Sequence, residues 1–129
     1  MSTDFEARRQ QYALNTKEEV LAVLQSYPTT TPIILLDVRS PGEVANAQFN
    51  VPADKNYVVK YIAGVTMTPD VTSIADQAAT VLPDKASPIV TFCAVGGRSQ
   101  LAAQKLQAMG YTTVLNAGGL KDLGYLQHS

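Results

Sequence analysis

One cysteine and one histidine are all this 129-residue chain has of either type, and it has no tryptophan. A lone thiol cannot close an intrachain disulfide, and one Cys with one His cannot assemble the four-ligand sulfur and nitrogen sets of structural zinc. Nothing in the residue set asks for a metal or another cofactor, so stability must come from packing, for which 46% hydrophobic residues suffice. Excess charge of one sign is also lacking. Ten basic and eleven acidic residues leave a formal net charge of -1, which gives no electrostatic reason to expect nucleic acid or an anionic membrane as partner. No apolar run approaches the roughly 20 residues that span a bilayer. Residues 1–15, with Asp4, Glu6, Arg8 and Arg9, lack the basic start and apolar stretch of a secretory signal and read as a polar lead. These absences predict a soluble, cytoplasmic protein whose thiol stays reduced.

What is present is an alternation of apolar runs and amphipathic stretches. Thr16-Lys17-Glu18-Glu19 is a capping box that opens a short helix through about Gln25. Ile33 to Val38, bounded by prolines and polar residues, suits a strand buried on both faces. Ser40-Pro41-Gly42-Glu43 is a second capping box with proline at the first helical position. The stretch from Ala47 to Thr68 mixes strand-like residues with Pro52, Asp54 and Gly64 and gives no clear element. Asp70 can cap a helix carrying Ile74, Ala75, Ala78 and Val81, closed by Pro83. Pro88 to Phe92 reads as a strand, Ser99 to Met109 as an amphipathic helix stopped by Gly110, and Thr112 to Leu115 as a strand. Gly118-Gly119 reads as a turn and Leu120 to Leu126 as a final short helix. The order predicts an α/β fold, a mostly parallel central sheet flanked by helices on both faces.

Ligands in such sheets bind at the carboxyl ends of strands, and Cys93 falls there, between the strand ending at Phe92 and the following helix. The loop is Cys93-Ala94-Val95-Gly96-Gly97-Arg98-Ser99. Two adjacent glycines let the backbone curl so that several N–H groups point inward and make an anion cradle. Helix N–H groups and the Arg98 charge favour the thiolate of Cys93, which is the nucleophilic form. The same donors can hold an oxyanion or a departing group without a metal or a histidine base. Taken singly, Cys93 would be a small buried hydrophobe, the glycines a turn and Arg98 a solvated charge; the constellation is what points to chemistry. His128 has the character of a mobile surface residue and receives no role, and Tyr57, Tyr61, Tyr111 and Tyr125 read as packing residues.

The pattern Cys-x-x-Gly-x-Arg-Ser, after an apolar strand and before an amphipathic helix, resembles the active-site loop of the rhodanese family. Gly110 to Asn116 with Gly118-Gly119 is similar to that family's last strand and double glycine, and Leu36-Asp37-Val38-Arg39, with Pro41 and Glu43, to its first Asp-x-Arg segment. The likeness spans roughly residues 16 to 126 and implies one rhodanese-like domain over 16–129. It departs from the family at Ala47-Gln48-Phe49 and at Leu123, where a Gly-His-Ile segment and a tryptophan are usual.

The resemblance implies a sulfurtransferase. Cys93 attacks the outer sulfur of thiosulfate or a related sulfur-containing anion, a persulfide is held by the loop from Ala94 to Ser99, and a thiol or cyanide acceptor, or a protein sulfur acceptor, takes the sulfur. Asp37 and Arg39 are then structural supports behind the loop, with Arg39 expected to pair with Glu43. Ala94 and Val95 place no cation next to the nucleophile, so thiosulfate is expected to be a poor donor. Related phosphatases carry a Cys-x5-Arg loop, whereas Cys93 to Arg98 is Cys-x4-Arg, one residue shorter. A different class, a rhodanese-like module that docks a partner or senses oxidants through an exposed thiolate, is the alternative; loss of sulfur transfer on Cys93→Ser discriminates the two.

Overall fold

A computed structural model describes residues 3–67 and 72–127. Five helices and four strands follow in the order α1 (Thr3–Tyr12), α2 (Lys17–Gln25), β1 (Ile33–Asp37), α3 (Pro41–Asn46), β2 (Tyr57–Tyr61), α4 (Thr72–Val81), β3 (Ile89–Cys93), α5 (Gly97–Ala108) and β4 (Val114–Gly119). The strands form one sheet in the order β2-β1-β3-β4, and every neighbouring pair is parallel. Among the described residues no helix is long and apolar enough to cross a membrane.

Both capping boxes are formed. Thr16 and Glu19 satisfy each other's backbone donors at the start of α2, and Ser40 and Glu43 do the same at α3, where Pro41 takes the first turn. The central strands β1 and β3 are buried at all five positions, as expected for strands covered on both faces. Successive side chains on a strand point to opposite faces, and the core divides accordingly. Ile34 and Leu36 pack with Ile74 and Ala78 of α4 and with Ala102, Ala103 and Leu106 of α5. Ile33 and Leu35 pack on the other face with Val20 and Leu24 of α2, and with Phe49, Phe92 and Leu123. Cys93 belongs to the α4–α5 side.

Two open segments gain an element and two expectations change. The polar lead is helical: α1 lies against the rest of the chain with Arg8 buried. The unassigned stretch after Ala47 contains the edge strand β2. Gly118-Gly119 is no turn but the end of β4, where an extra residue shifts the register from Thr91↔Asn116 to Cys93↔Gly119 and Gly118 adopts φ 102°. This is a bulge, and it takes the glycine that tolerates it. The final helix shrinks to a single 3-10 turn, Leu120–Asp122. Asp70, the expected cap of α4, and His128 lie outside the described residues.

Candidate active site

Cys93 ends β3, and α5 begins four residues later, so the loop between them is short and must turn sharply. Gly96 makes the turn as N-cap of α5 with φ 117°, a conformation side chains rarely adopt. Helix α5 therefore starts at Gly97, two residues earlier than the sequence pattern places it. The effect is to bring its first N–H groups beneath the cysteine. The Gly96 N–H donates to Cys93 Sγ at 3.1 Å, and Ser99 Oγ lies 3.5 Å from the same sulfur.

Cys93 is 1% exposed, so the exposed thiolate that the oxidant-sensing alternative calls for is instead an enclosed one. Burial pushes the thiol up, but the Ser99 hydroxyl and the backbone N–H groups of Ser99, Gly96 and Val95 outweigh it, and the net shift is below the ordinary thiol value. These donors are not equally committed. The Ser99 hydroxyl has one proton and three acceptors within reach: Asn116 Oδ1 at 2.6 Å, the Gly96 carbonyl at 3.1 Å and the sulfur at 3.5 Å. Asn116 is the nearest, so the backbone N–H groups are the dependable stabilisers of negative sulfur.

Asn116 is a site residue that the sequence pattern did not single out. It is buried on β4, its Nδ2 donates to the carbonyls of Tyr12 and Gly96, and its Oδ1 accepts from Ser99 Oγ and Gly118 N–H. A polar residue at an inward position of an otherwise apolar strand was the available signal. Gly119 supports the loop by being small: a Cβ there would overlap the Ala94 carbonyl oxygen.

Arg98 does not aim an unbalanced charge at the sulfur. Its guanidinium forms a two-pronged ion pair with Glu43, 2.7 and 2.9 Å, although an attractive interaction with Cys93 remains. Glu43 is held down to about 2, first by Arg98 and then by the Ser40 N–H of its capping box. The expected Arg39–Glu43 carboxylate pair is thus corrected. Arg39 pairs with Asp37 at 2.8 Å, both side chains buried, and reaches the carbonyl oxygens of Ala47 and Glu43. Its guanidinium lies 5.8 Å over the Phe92 ring, so Asp37 and Arg39 buttress the end of β3 from behind.

An open groove beside the loop is lined by Arg39, Glu43, Asn46, Ala47, Ala94 and Lys121. Its cations already have carboxylate partners, Arg39 with Asp37 and Lys121 with Asp4. Val95, next along the loop after Ala94, is 41% exposed. Among the described residues no three His, Cys, Asp or Glu side chains gather where they could hold one metal ion. What the arrangement offers is a buried sulfur nucleophile in a nest of backbone donors, next to a groove whose lining cations are all paired.

The model for the rhodanese-like domain matches residues 16–123. This chain belongs to that family. The thiosulfate sulfurtransferase PspE of Escherichia coli (strain K12) is 32% identical over 103 residues, covering 80% of this chain and 86% of PspE. A solved rhodanese with anions from E. coli is 30% identical, covers 73% of this chain and 93% of its own, and superposes with a TM-score of 0.51. The polysulfide-sulfur transferase homodimer of Wolinella succinogenes is 26% identical, with 95% and 80% covered and a TM-score of 0.55. Family and relatives together make this rhodanese-like protein a transferase of the sulfurtransferase class.

Proposed function

We propose that this rhodanese-like protein carries sulfane sulfur as a persulfide on Cys93, between thiosulfate or a related donor and a thiol or cyanide acceptor. The observation that carries the reading is the Gly96 N–H on Cys93 Sγ at 3.1 Å inside a loop whose donors lower the thiol despite its burial. In the first half-reaction the Cys93 thiolate attacks the outer sulfur of the donor. A bond forms from Sγ to that sulfur, and the bond to the remainder breaks with its electron pair leaving on the remainder, which is sulfite when the donor is thiosulfate. Cys93 is left as a persulfide anion, and charge is conserved without a proton transfer. The backbone N–H groups of Val95, Gly96 and Ser99 that favour the thiolate at Sγ are the loop's donors for negative sulfur.

In the second half-reaction a thiolate or cyanide attacks the terminal sulfur, and the bond to Sγ breaks to restore the thiolate. With one cysteine in the chain, the sulfur must pass to another molecule. A small acceptor or a protein thiol both satisfy this requirement. Donors of low charge are favoured over dianionic thiosulfate, because Ala94 and Val95 bring no cation and Arg98 is occupied by Glu43.

Intact mass spectrometry of the reduced protein and of Cys93→Ser after incubation with thiosulfate, 3-mercaptopyruvate or a glutathione persulfide, with sulfite assayed in parallel for the first, tests the reading. Wild type alone gains one sulfur atom. If no donor adds sulfur to wild type, a docking module replaces the carrier as the reading of this fold.

A further inference from the structure

The family match begins at residue 16, yet residues before it reach the loop that holds Cys93. Helix α1 is polar almost throughout, so burial of an apolar face does not explain its position. Arg8 does. It is 8% exposed, and its guanidinium donates to both carboxylate oxygens of Asp122 (2.9 and 2.8 Å), to Asp4 (3.0 Å) and to the Val95 carbonyl oxygen (2.8 Å). Behind it, the Tyr12 carbonyl accepts from Asn116, and the Asn15 backbone N–H donates to the Asn116 carbonyl.

The geometry points to Arg8 as a positioning residue for sulfur transfer: by gripping the Val95 carbonyl it turns the Val95–Gly96 peptide so that the Gly96 N–H faces Cys93 Sγ. In a trans peptide the C=O and the following N–H point in opposite directions across one rigid plane. Fixing the oxygen on the Arg8 side therefore fixes the N–H on the sulfur side, where it donates at 3.1 Å. Gly96, with φ 117° and no side chain, would by itself leave this peptide free to rotate. The inference rests on the reading of Cys93 as the sulfur carrier.

A direct field from Arg8 is not the cause, because Asp122 and Asp4 offset its charge. The other charged groups packed around the loop are Arg98 from α5, offset by Glu43 from α3, the Asp37–Arg39 pair after β1, and Lys121, which lines the groove with Ala94 and pairs with Asp4. Of these groups only Arg8 donates to a loop carbonyl among the described residues.

The test uses the full chain with Arg8→Met, which keeps the apolar stem, and Arg8→Lys, which keeps one donor. Iodoacetamide alkylation of Cys93 across pH reports the thiolate without any sulfur transfer, and single-turnover sulfur loading reports the chemical step. For Arg8→Met the alkylation profile moves to higher pH and loading slows by roughly tenfold with donor KM little changed. This is less than the hundredfold or more of deleting an oxyanion donor, since the N–H remains and is only loosened. Arg8→Lys recovers part of the loss.

A profile of folded Arg8→Met that superimposes on wild type overturns the inference, even if its Tm falls, because a brace that is only structural leaves the thiolate alone. Should Arg8→Met not fold, Asp122→Asn weakens the same grip while keeping Arg8, and an unmoved profile there overturns it equally. Failure of the carrier reading looks different: wild type then takes no sulfur from any donor, whether or not the alkylation profile responds to Arg8.

Discussion

Gly119 has φ -103° and ψ 162°, ordinary extended values that any residue adopts. Its need for glycine is one of space alone, since a Cβ would overlap the Ala94 carbonyl oxygen. That oxygen belongs to the peptide whose N–H, at Val95, helps hold the sulfur. Gly119→Ala is therefore expected to cost about 1–3 kcal/mol through overpacking and to displace a loop donor as well. Sulfur loading should fall more than the stability loss explains, which single-turnover rates beside thermal melts will show. At Val95 a substitution is expected to bring a gain. The side chain is exposed and brings no charge, so Val95→Lys adds a cation on the loop two residues after Cys93. An exposed pair of this kind is worth up to about 1 kcal/mol, or roughly fivefold. The expected outcome is a lower KM for thiosulfate at low salt, fading as salt is raised, with a neutral-bodied donor unaffected.

Between elements, the Arg98–Glu43 pair clasps α5 to α3, and it has a pH signature. Glu43 is lowered to about 2 in the fold, from an ordinary value of 4.5. A carboxylate lowered in this way contributes stability that is complete above the unfolded value and is lost as the pH falls toward the folded one. Wild type should lose Tm between pH 4.5 and about 2 more steeply than Glu43→Gln, which has already lost the clasp. Thr16→Ala supplies the contrast at α2, where a capping box remote from the sulfur is removed. It should cost about 1 kcal/mol and leave sulfur loading unchanged. These two boxes were legible because their signal is local, four residues long. The Gly118-Gly119 bulge was not, since a glycine pair after a strand reads as a turn unless the partner strand is known. The partner of Glu43 is hidden for a related reason. Glu43 is a capping residue for its own helix and also the partner of Arg98, 55 positions away, and only the fold brings them together.

For the whole molecule, the apolar runs at β1 and β3 and the periodic stretches at α4 and α5 carried the α/β reading, because central strands and amphipathic helices declare themselves by pattern. Cys93, Gly96 and Ser99 were legible for the same reason, as a motif between two recognisable elements. Helix α1 was hidden: it lacks an apolar stripe, and its anchor Asp122 lies 114 positions from Arg8. The sheet itself makes one further demand on the molecule. Leu35 and Leu36 are adjacent in β1 and both fully buried, yet they serve opposite faces, Leu35 toward α2 and Leu36 toward α4 and α5. Truncating either to alanine should cost about 2–5 kcal/mol. Since both faces share the same four strands, neither core can melt while the other stays folded. Each variant should therefore unfold in a single transition, with coincident midpoints by far-UV circular dichroism and tyrosine fluorescence. Two separated transitions in Leu35→Ala, with α4 and α5 outlasting α2, would show that the cores are independent and that the sheet does not couple them.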